Sequence, residues 1–224
     1  MVEFKYAPMF QLGEDTTEYY KLTDKFVSTG EFEGHPILKV EPEALTMLAN
    51  AAFRDVNFLL RPEHNEQVAK ILSDPEASSN DKYVALRFLR NAEVSAKGQL
   101  PICQDTGMAV FFVEVGQDVH FVGQPIEDAI NEGVRRGYVD GYLRKSVVGD
   151  PILRENTKDN TPAVIHYSIV PGDQVKLTFA PKGFGSESMS RVFMLKPADG
   201  IEGVKNAILT AVKDAGPNAC PPMV

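Results

Sequence analysis

The chain has 224 residues, a formal net charge of −8 and a hydrophobic content of 43%, which suits one large or two small globular domains. The acidic balance argues against a general binder of nucleic acid or anionic membranes, and no apolar run reaches the ~18 residues of a membrane span. Residues Met1 to Gln11 lack a secretory signal pattern, so we expect a cytoplasmic protein with reduced or metal-bound cysteines.

The first hundred residues predict one short strand followed by a helical layer. The strand is expected near Pro36 to Val40, and Pro42 suits the first turn of a helix. A second helix is predicted through Glu66 to Leu72 and a third from about Asn80. Apolar residues at helical spacing predict the buried faces of the first and third helices: Leu45, Leu48, Ala52 and Val56, then Val84, Phe88 and Ala92.

After residue 100 the pattern changes to strands alternating with helices. Strands are predicted at Ala109 to Val115, Ala163 to Val170 and Gln174 to Phe179, and the turn residues after Val170 predict a hairpin of the last two. Helices are predicted at Ile126 to Val147 and Ile201 to Asp214. The apolar positions that support these two helices are Ala129, Val134 and Tyr138, then Ile201, Val204, Ile208 and Val212. We therefore expect a mixed α+β fold, with a helical part over residues 1–100 and a sheet flanked by helices over 101–224.

Two cysteine-containing segments could hold a metal. Pro101 to Gly107 (PICQDTG) places a thiol, an amide, a carboxylate and a hydroxyl together before a strand. A thiolate is a soft ligand for iron, zinc or copper. Cys220 precedes two prolines, which hold it in an extended approach suited to a ligand. The alternative for both is a structural loop, and the residues alone leave both open.

Two further loops could bind an anion. Lys182 to Ser190 (KGFGSESMS) follows a strand, and its glycines let backbone N–H groups approach a ligand. Without other support, the expectation for this segment is a plain turn. Arg144 stands near a predicted helix end, where a cation complements the helix dipole. It could also bind a carboxylate with its two-pronged guanidinium.

Five motifs in order make the chain resemble a known family. They are PICQDTG at 101–107, NTKDNTPA at 156–163, PKGFGSE at 181–187, LKPADG at 195–200 and AGPNACPP at 215–222. Together they resemble the class I, oxygen-sensitive fumarate hydratases and the related L-tartrate dehydratase alpha subunits and mesaconate hydratases. The resemblance covers nearly the whole chain.

The resemblance implies a cofactor and a set of site residues. Such enzymes hold a [4Fe–4S] cluster with three cysteines, of which Cys103 and Cys220 match two. Gln104 and Asp105 match catalytic residues that contact substrate beside the cluster. Arg144 matches a residue that binds a substrate carboxylate, and Gly185 matches a substrate-contacting backbone position. Where many relatives have a glycine, this chain has Phe184, whose bulk makes close backbone approach doubtful at that residue.

The resemblance further implies a hydro-lyase that reversibly hydrates fumarate to L-malate within a homodimer. The third cluster cysteine and further site residues of the family match no position here, so we expect a truncated chain. It would then be inactive without the missing carboxy-terminal domain or beta subunit. L-tartrate or mesaconate dehydration is the alternative within the same chemistry, and a non-catalytic metal-binding or partner-binding fragment is the alternative of a different class.

Overall fold

A computed structural model describes residues 18–216, which contain five α-helices and six β-strands. The strands are β1 (Val27–Phe32), β2 (His35–Val40), β3 (Met108–Gly116), β4 (Val119–Phe121), β5 (Val164–Val170) and β6 (Val175–Lys182). The helices are α1 (Pro42–Phe58), α2 (Pro62–Lys70), α3 (Ser79–Ala96), α4 (Ile126–Asp140) and α5 (Gly200–Ala215). The predicted α+β class is confirmed. Within residues 18–216, no helix has the length and apolar character needed to cross a bilayer.

The larger sheet has the order β5–β3–β6, with β5 parallel and β6 antiparallel to β3. The predicted hairpin of the last two strands is therefore wrong, because both pair with β3 and not with each other. The turn that follows Val170 crosses the end of β3, where the Gly116 N–H donates to the Gln174 carbonyl at 2.7 Å. A Cβ on Gly116 would collide with the Gly172 carbonyl. The most apolar strand thus takes the centre, where both of its edges are hydrogen-bonded.

The smaller sheet has the order β1–β2–β4 and begins within the part predicted to be helical. Strand β2 agrees with the strand predicted near residues 36–40, whereas β1 was not predicted. Strands β1 and β2 form a hairpin through Glu33 and Gly34, both of which have positive φ angles (+49° and +82°). The strand sequence VSTGEF carries few apolar side chains, so its period-2 pattern is weak.

Helices α1 and α4 pack closely and cover the buried face of β3. Glycine at position 133 allows the close approach, because a Cβ there would lie 2.5 Å from the Thr46 carbonyl and 2.6 Å from the Ala49 Cβ. The Thr46 hydroxyl, itself buried, donates to the Ala129 carbonyl at 2.8 Å. The core combines these helices with β3: Leu45, Ala49, Phe53, Phe111, Val113, Ile130, Val134 and Tyr138.

Four details of the predicted helices need correction. Leu48 and Val56 of α1 are exposed, and Ala49 and Phe53 are buried in their place. Val84 and Phe88 of α3 are also exposed, and the buried residues of that helix are Ala85 and Ser95. Helix α4 ends at Asp140 and not at residue 147, because Gly141 is its C-cap and Tyr142 takes a positive φ of +52°. The predicted stripe on α5 is exposed at all four positions, 201, 204, 208 and 212.

Candidate functional site

A cavity of about 660 Å³ lies among α1, α2, α3, the loop before β3 and the loop after β6. Its polar side is formed by Cys103, Gln104, Asp105, Gly183 and Glu187. Its opposite wall comes from the three helices and the loop between α1 and α2. It combines apolar residues (Val56, Leu60, Val68, Val84 and Phe88) with polar and charged ones (Asn57, His64, Asn65, Arg87 and Asn91). The predicted third helix therefore turns part of its apolar face towards this cavity.

Helices α1 and α3 hold the Cys103 loop at its start. The Ile102 N–H donates to the Asn57 carbonyl at 2.8 Å, and the Asn91 carboxamide donates to the Ile102 carbonyl at 2.7 Å. The Cys103 side chain is half-buried, and its sulfur lies 3.4 Å from the Asp105 N–H that donates to it. The thiol donates to Gln104 Oε1, also at 3.4 Å. The three residues predicted to act together thus share one turn of loop.

The loop after β6 meets the Cys103 loop through Asp105. The Phe184 N–H donates to Asp105 Oδ2 at 3.0 Å, so the bulky residue at 184 does not prevent close approach of its backbone. Glu187 closes the loop on itself, since its carboxylate accepts the Gly183 N–H at 2.7 Å and pairs with Lys182 at 3.0 Å. A Cβ on Gly107 would collide with the Lys182 carbonyl, which explains a glycine there.

Two of the predicted site residues lie outside the cavity lining. Gly185 is exposed at the tip of the loop, next to Phe184. Arg144 is also exposed, and its hydrogen bonds within residues 18–216 are made by its backbone: its N–H donates to the Thr106 hydroxyl at 3.0 Å. Within residues 18–216 the Arg144 guanidinium has no hydrogen-bond or ion-pair partner. The structure therefore places Arg144 beside the Cys103 loop but not in the cavity.

Two buried side chains, which the sequence did not indicate as site residues, support this arrangement. The Tyr138 hydroxyl lies 3.0 Å from the Thr106 carbonyl and 2.5 Å from the Gly107 carbonyl. Burial raises the pKa of Tyr138 far above its usual range. The carboxamide of Asn160 is fully buried, donates to the Gly107 carbonyl at 2.9 Å and accepts the N–H groups of Ser146 and Val147. The polar stretch at 156–162 gave the one sequence signal for Asn160.

Cys103 suits the role of one thiolate ligand of an iron–sulfur cluster. Its sulfur lies at the edge of a largely apolar cavity and accepts a backbone N–H, the kind of hydrogen bond that tunes cluster thiolates. Cys220 lies outside the described residues. Within residues 18–216, no group of three or more His, Cys, Asp and Glu side chains is placed to hold a metal ion.

Comparison with known proteins gives consistent matches. A family model described as "Fumarate hydratase (Fumerase)" matches residues 46–224. The chain is 46% identical over 222 residues to the anaerobic class I fumarate hydratase of Escherichia coli K12, covering 98% of the chain and 40% of that relative. It is 35% identical to fumarate hydratase 2 of Leishmania major, covering 98% of the chain and 40% of the relative.

A match to a subunit of another enzyme is also found. The L(+)-tartrate dehydratase subunit alpha of Escherichia coli UTI89 is 30% identical over 159 residues, covering 69% of the chain and 52% of the subunit. The chain thus spans about two fifths of the length of the fumarate hydratases it matches and about half of this subunit.

Proposed function

Because the chain belongs to the fumarate hydratase family, we propose that it forms part of a hydro-lyase that reversibly hydrates fumarate to L-malate. The observation that carries the proposal is that Cys103, Gln104 and Asp105 line one cavity. The proposed reaction is the one for which the relatives described above as fumarate hydratases are named. The cavity is large enough for a small dicarboxylate beside a cofactor.

The cofactor that we propose is a [4Fe–4S] cluster, held by Cys103, by Cys220 and by a third cysteine from outside this sequence. Bound there, a cluster with one iron open to substrate would act as a Lewis acid towards a carboxylate and a hydroxyl. The Asp105 N–H would stabilise the Cys103 thiolate, as it already donates to that sulfur.

We assign the binding and orientation of the substrate to four further residues, Gln104, Asp105, Arg144 and Gly185. Gln104 would orient the end of the dicarboxylate near the cysteine through its carboxamide. Asp105 would orient the same end and act in proton transfer, while its Oδ2 accepts the Phe184 N–H and so fixes the glycine-containing loop. Arg144 would bind the other carboxylate with two parallel hydrogen bonds, and Gly185 would contribute its backbone.

We propose that the rest of the site comes from a carboxy-terminal domain or a beta subunit, within a cytoplasmic homodimer. The similarity to a tartrate dehydratase alpha subunit supports L-tartrate as a second candidate substrate. The apolar residues that line part of the cavity support mesaconate, which carries a methyl group that fumarate lacks.

Anaerobic reconstitution with iron and sulfide tests the proposal. It is performed on the chain alone and on the chain supplied with the carboxy-terminal part of a class I relative. We expect cluster absorbance and fumarate hydration in the supplemented sample, both lost in Cys103→Ser, whereas Asp105→Asn keeps the absorbance and loses at least about 100-fold in turnover. Thr157→Val is the matched control. Full cluster absorbance and hydration in Cys103→Ser would rule out the cluster assignment. Turnover on tartrate or mesaconate but not on fumarate would make that compound the substrate in place of fumarate.

A further inference from the structure

The hydroxyl of Thr106 bonds both backbone polar groups of Arg144. It accepts the Arg144 N–H at 3.0 Å and donates to the Arg144 carbonyl at 3.2 Å. A hydroxyl carries one donor and two acceptor sites, so both bonds can form at once. Thr106 is buried, with 3% of its surface exposed, and it directly follows Asp105 in the chain.

The neighbours of Arg144 are fixed independently on both sides. Leu143 is buried, and its N–H donates to the Tyr138 carbonyl at 3.1 Å. Val147 is buried, and its N–H donates to Asn160 at 2.8 Å. The Cys103 loop is held from the same side, because Tyr138 and Asn160 both bond the Gly107 carbonyl. Thr106 and Asn160 are thus side chains that link the two anchored segments directly, and Thr106 is the one that bonds Arg144 itself.

We propose that Thr106 is a positioning residue, which sets the distance between the Arg144 guanidinium and the Cys103 to Asp105 loop for the two ends of one dicarboxylate. This inference rests on the proposed function, since it takes Arg144 as the group that binds the far carboxylate. The Arg144 side chain is exposed and has no partner within residues 18–216, so the fold fixes its position only through the backbone of Arg144. A shift of that backbone would move the long side chain away from the ligand.

The chain offers a well-matched set of variants. Thr106→Val keeps the side-chain shape and removes the hydroxyl, while Thr106→Ser keeps the hydroxyl. Thr157→Val is the control, because the Thr157 hydroxyl also donates to a backbone carbonyl of this segment, that of Val147, at 3.5 Å. Arg144→Ala removes the proposed carboxylate-binding group itself.

The test compares the dissociation constants of fumarate and crotonate, which lacks the second carboxylate, by calorimetry on the chain supplied with the carboxy-terminal part of a class I relative. We expect Thr106→Val to weaken fumarate binding about tenfold, equivalent to ~1.4 kcal/mol, and to leave crotonate binding unchanged. Thr106→Ser and Thr157→Val should leave both constants within twofold. In Arg144→Ala, the further change Thr106→Val should have no added effect, because the two residues act as one unit.

Each other outcome has a definite meaning. Equal losses for fumarate and crotonate in Thr106→Val, or losses that multiply in the double variant, overturn the positioning role and leave the proposed function standing. A wild-type chain that, when supplied with the same carboxy-terminal part, does not bind fumarate more tightly than crotonate overturns the Arg144 assignment, and the inference with it. If Thr106→Val does not fold, Thr106→Ala removes the same hydroxyl, and amide exchange at Arg144 should be at least tenfold faster in it; unchanged exchange counts against the link.

Discussion

The Arg136 guanidinium on α4 joins two helices by donating to the Glu43 carboxylate on α1 at 2.8 Å. The same guanidinium donates to Glu132 on its own helix at 2.8 Å, and Arg135 adds two hydrogen bonds to Glu132 at 2.7 and 2.8 Å. The resulting network clamps α1 to α4 above the core. Because α1 and α4 also carry the residues that support the Cys103 loop, this clamp contributes to the rigidity of the site.

The ion-pair network predicts a pH-dependent stability. The hydrogen bonds donated by Arg135 and then Arg136 lower the pKa of Glu132 from 4.5 to about 2. A carboxylate with a lowered folded-state pKa stabilises the fold fully above pH 4.5 and loses that contribution as the pH falls towards 2. We expect Glu132→Gln to lower the free energy of unfolding by about 1 kcal/mol at pH 7, after allowance for solvent screening. Urea titrations from pH 7 to pH 3 should show this difference shrinking below pH 4.5.

Glu202→Gln serves as the control for that measurement, because Glu202 pairs with Lys205 at 2.8 Å on the exposed surface of α5. Its effect should stay within a few tenths of a kcal/mol. An equal effect of the two substitutions at pH 7 would mean that the ion pairs of Glu132 with Arg135 and Arg136 add no more stability than an exposed pair.

The close contact between α1 and α4 predicts that adding one methyl group at Gly133 destabilises the fold. In Gly133→Ala the new Cβ would meet the Thr46 carbonyl and the Ala49 side chain. We expect a loss of about 1–3 kcal/mol, even though alanine is intrinsically the better helix former. Gly149→Ala is the control, since the nearest atom to its Cβ would be the Glu155 carbonyl at 3.9 Å. Thermal and urea unfolding measure both, and a more stable Gly133→Ala protein would contradict the packing.

The buried Tyr138 hydroxyl predicts a change at alkaline pH. Burial raises the folded-state pKa of Tyr138, so the stability that its neutral form contributes is present below pH 10 and is lost as the pH rises above 10. We expect Tyr138→Phe to cost about 1–2 kcal/mol at pH 7, because the carbonyls of Thr106 and Gly107 lose the hydrogen bond from Tyr138, although the Gly107 carbonyl still accepts from Asn160. That cost should diminish above pH 10. Urea unfolding of both variants across this pH range measures the difference, and Tyr83→Phe is the reference because Tyr83 is exposed.

The aromatic core predicts the largest single effect. The Phe53 ring lies 4.8 Å from the Tyr138 ring and 4.4 Å from the Phe179 ring, centroid to centroid. Phe53 is fully buried, so Phe53→Ala should cost about 3–5 kcal/mol. Phe32→Ala, at a position that is 66% exposed, should change the free energy of unfolding by about 0.5 kcal/mol or less. Similar losses for both in urea unfolding would mean that this cluster is not the core.

Local sequence patterns predicted most of the helices and strands and the part of the candidate site whose residues are adjacent in the chain. Proline at position 42 and the apolar spacing on α4 gave two helices with correct starts, and PICQDTG placed Cys103, Gln104 and Asp105 within one turn of loop. Adjacency along the chain guarantees that proximity. The same patterns gave the family resemblance, which the comparisons confirm.

Long-range pairing was decided by the tertiary structure. The turn residues near Gly172 predicted a hairpin, but insertion of β3 between β5 and β6 depends on backbone hydrogen bonds between distant segments. The apolar stripe on α5 was read correctly as helical, yet its exposure depends on what packs nearby. For Arg144, the residue type suggested that its guanidinium binds a carboxylate. Its backbone hydrogen bonds with the Thr106 hydroxyl, however, join positions 38 residues apart. Local composition fixes which conformations a segment prefers, while hydrogen bonds and packing between remote segments fix which groups meet, and no single stretch of sequence encodes them.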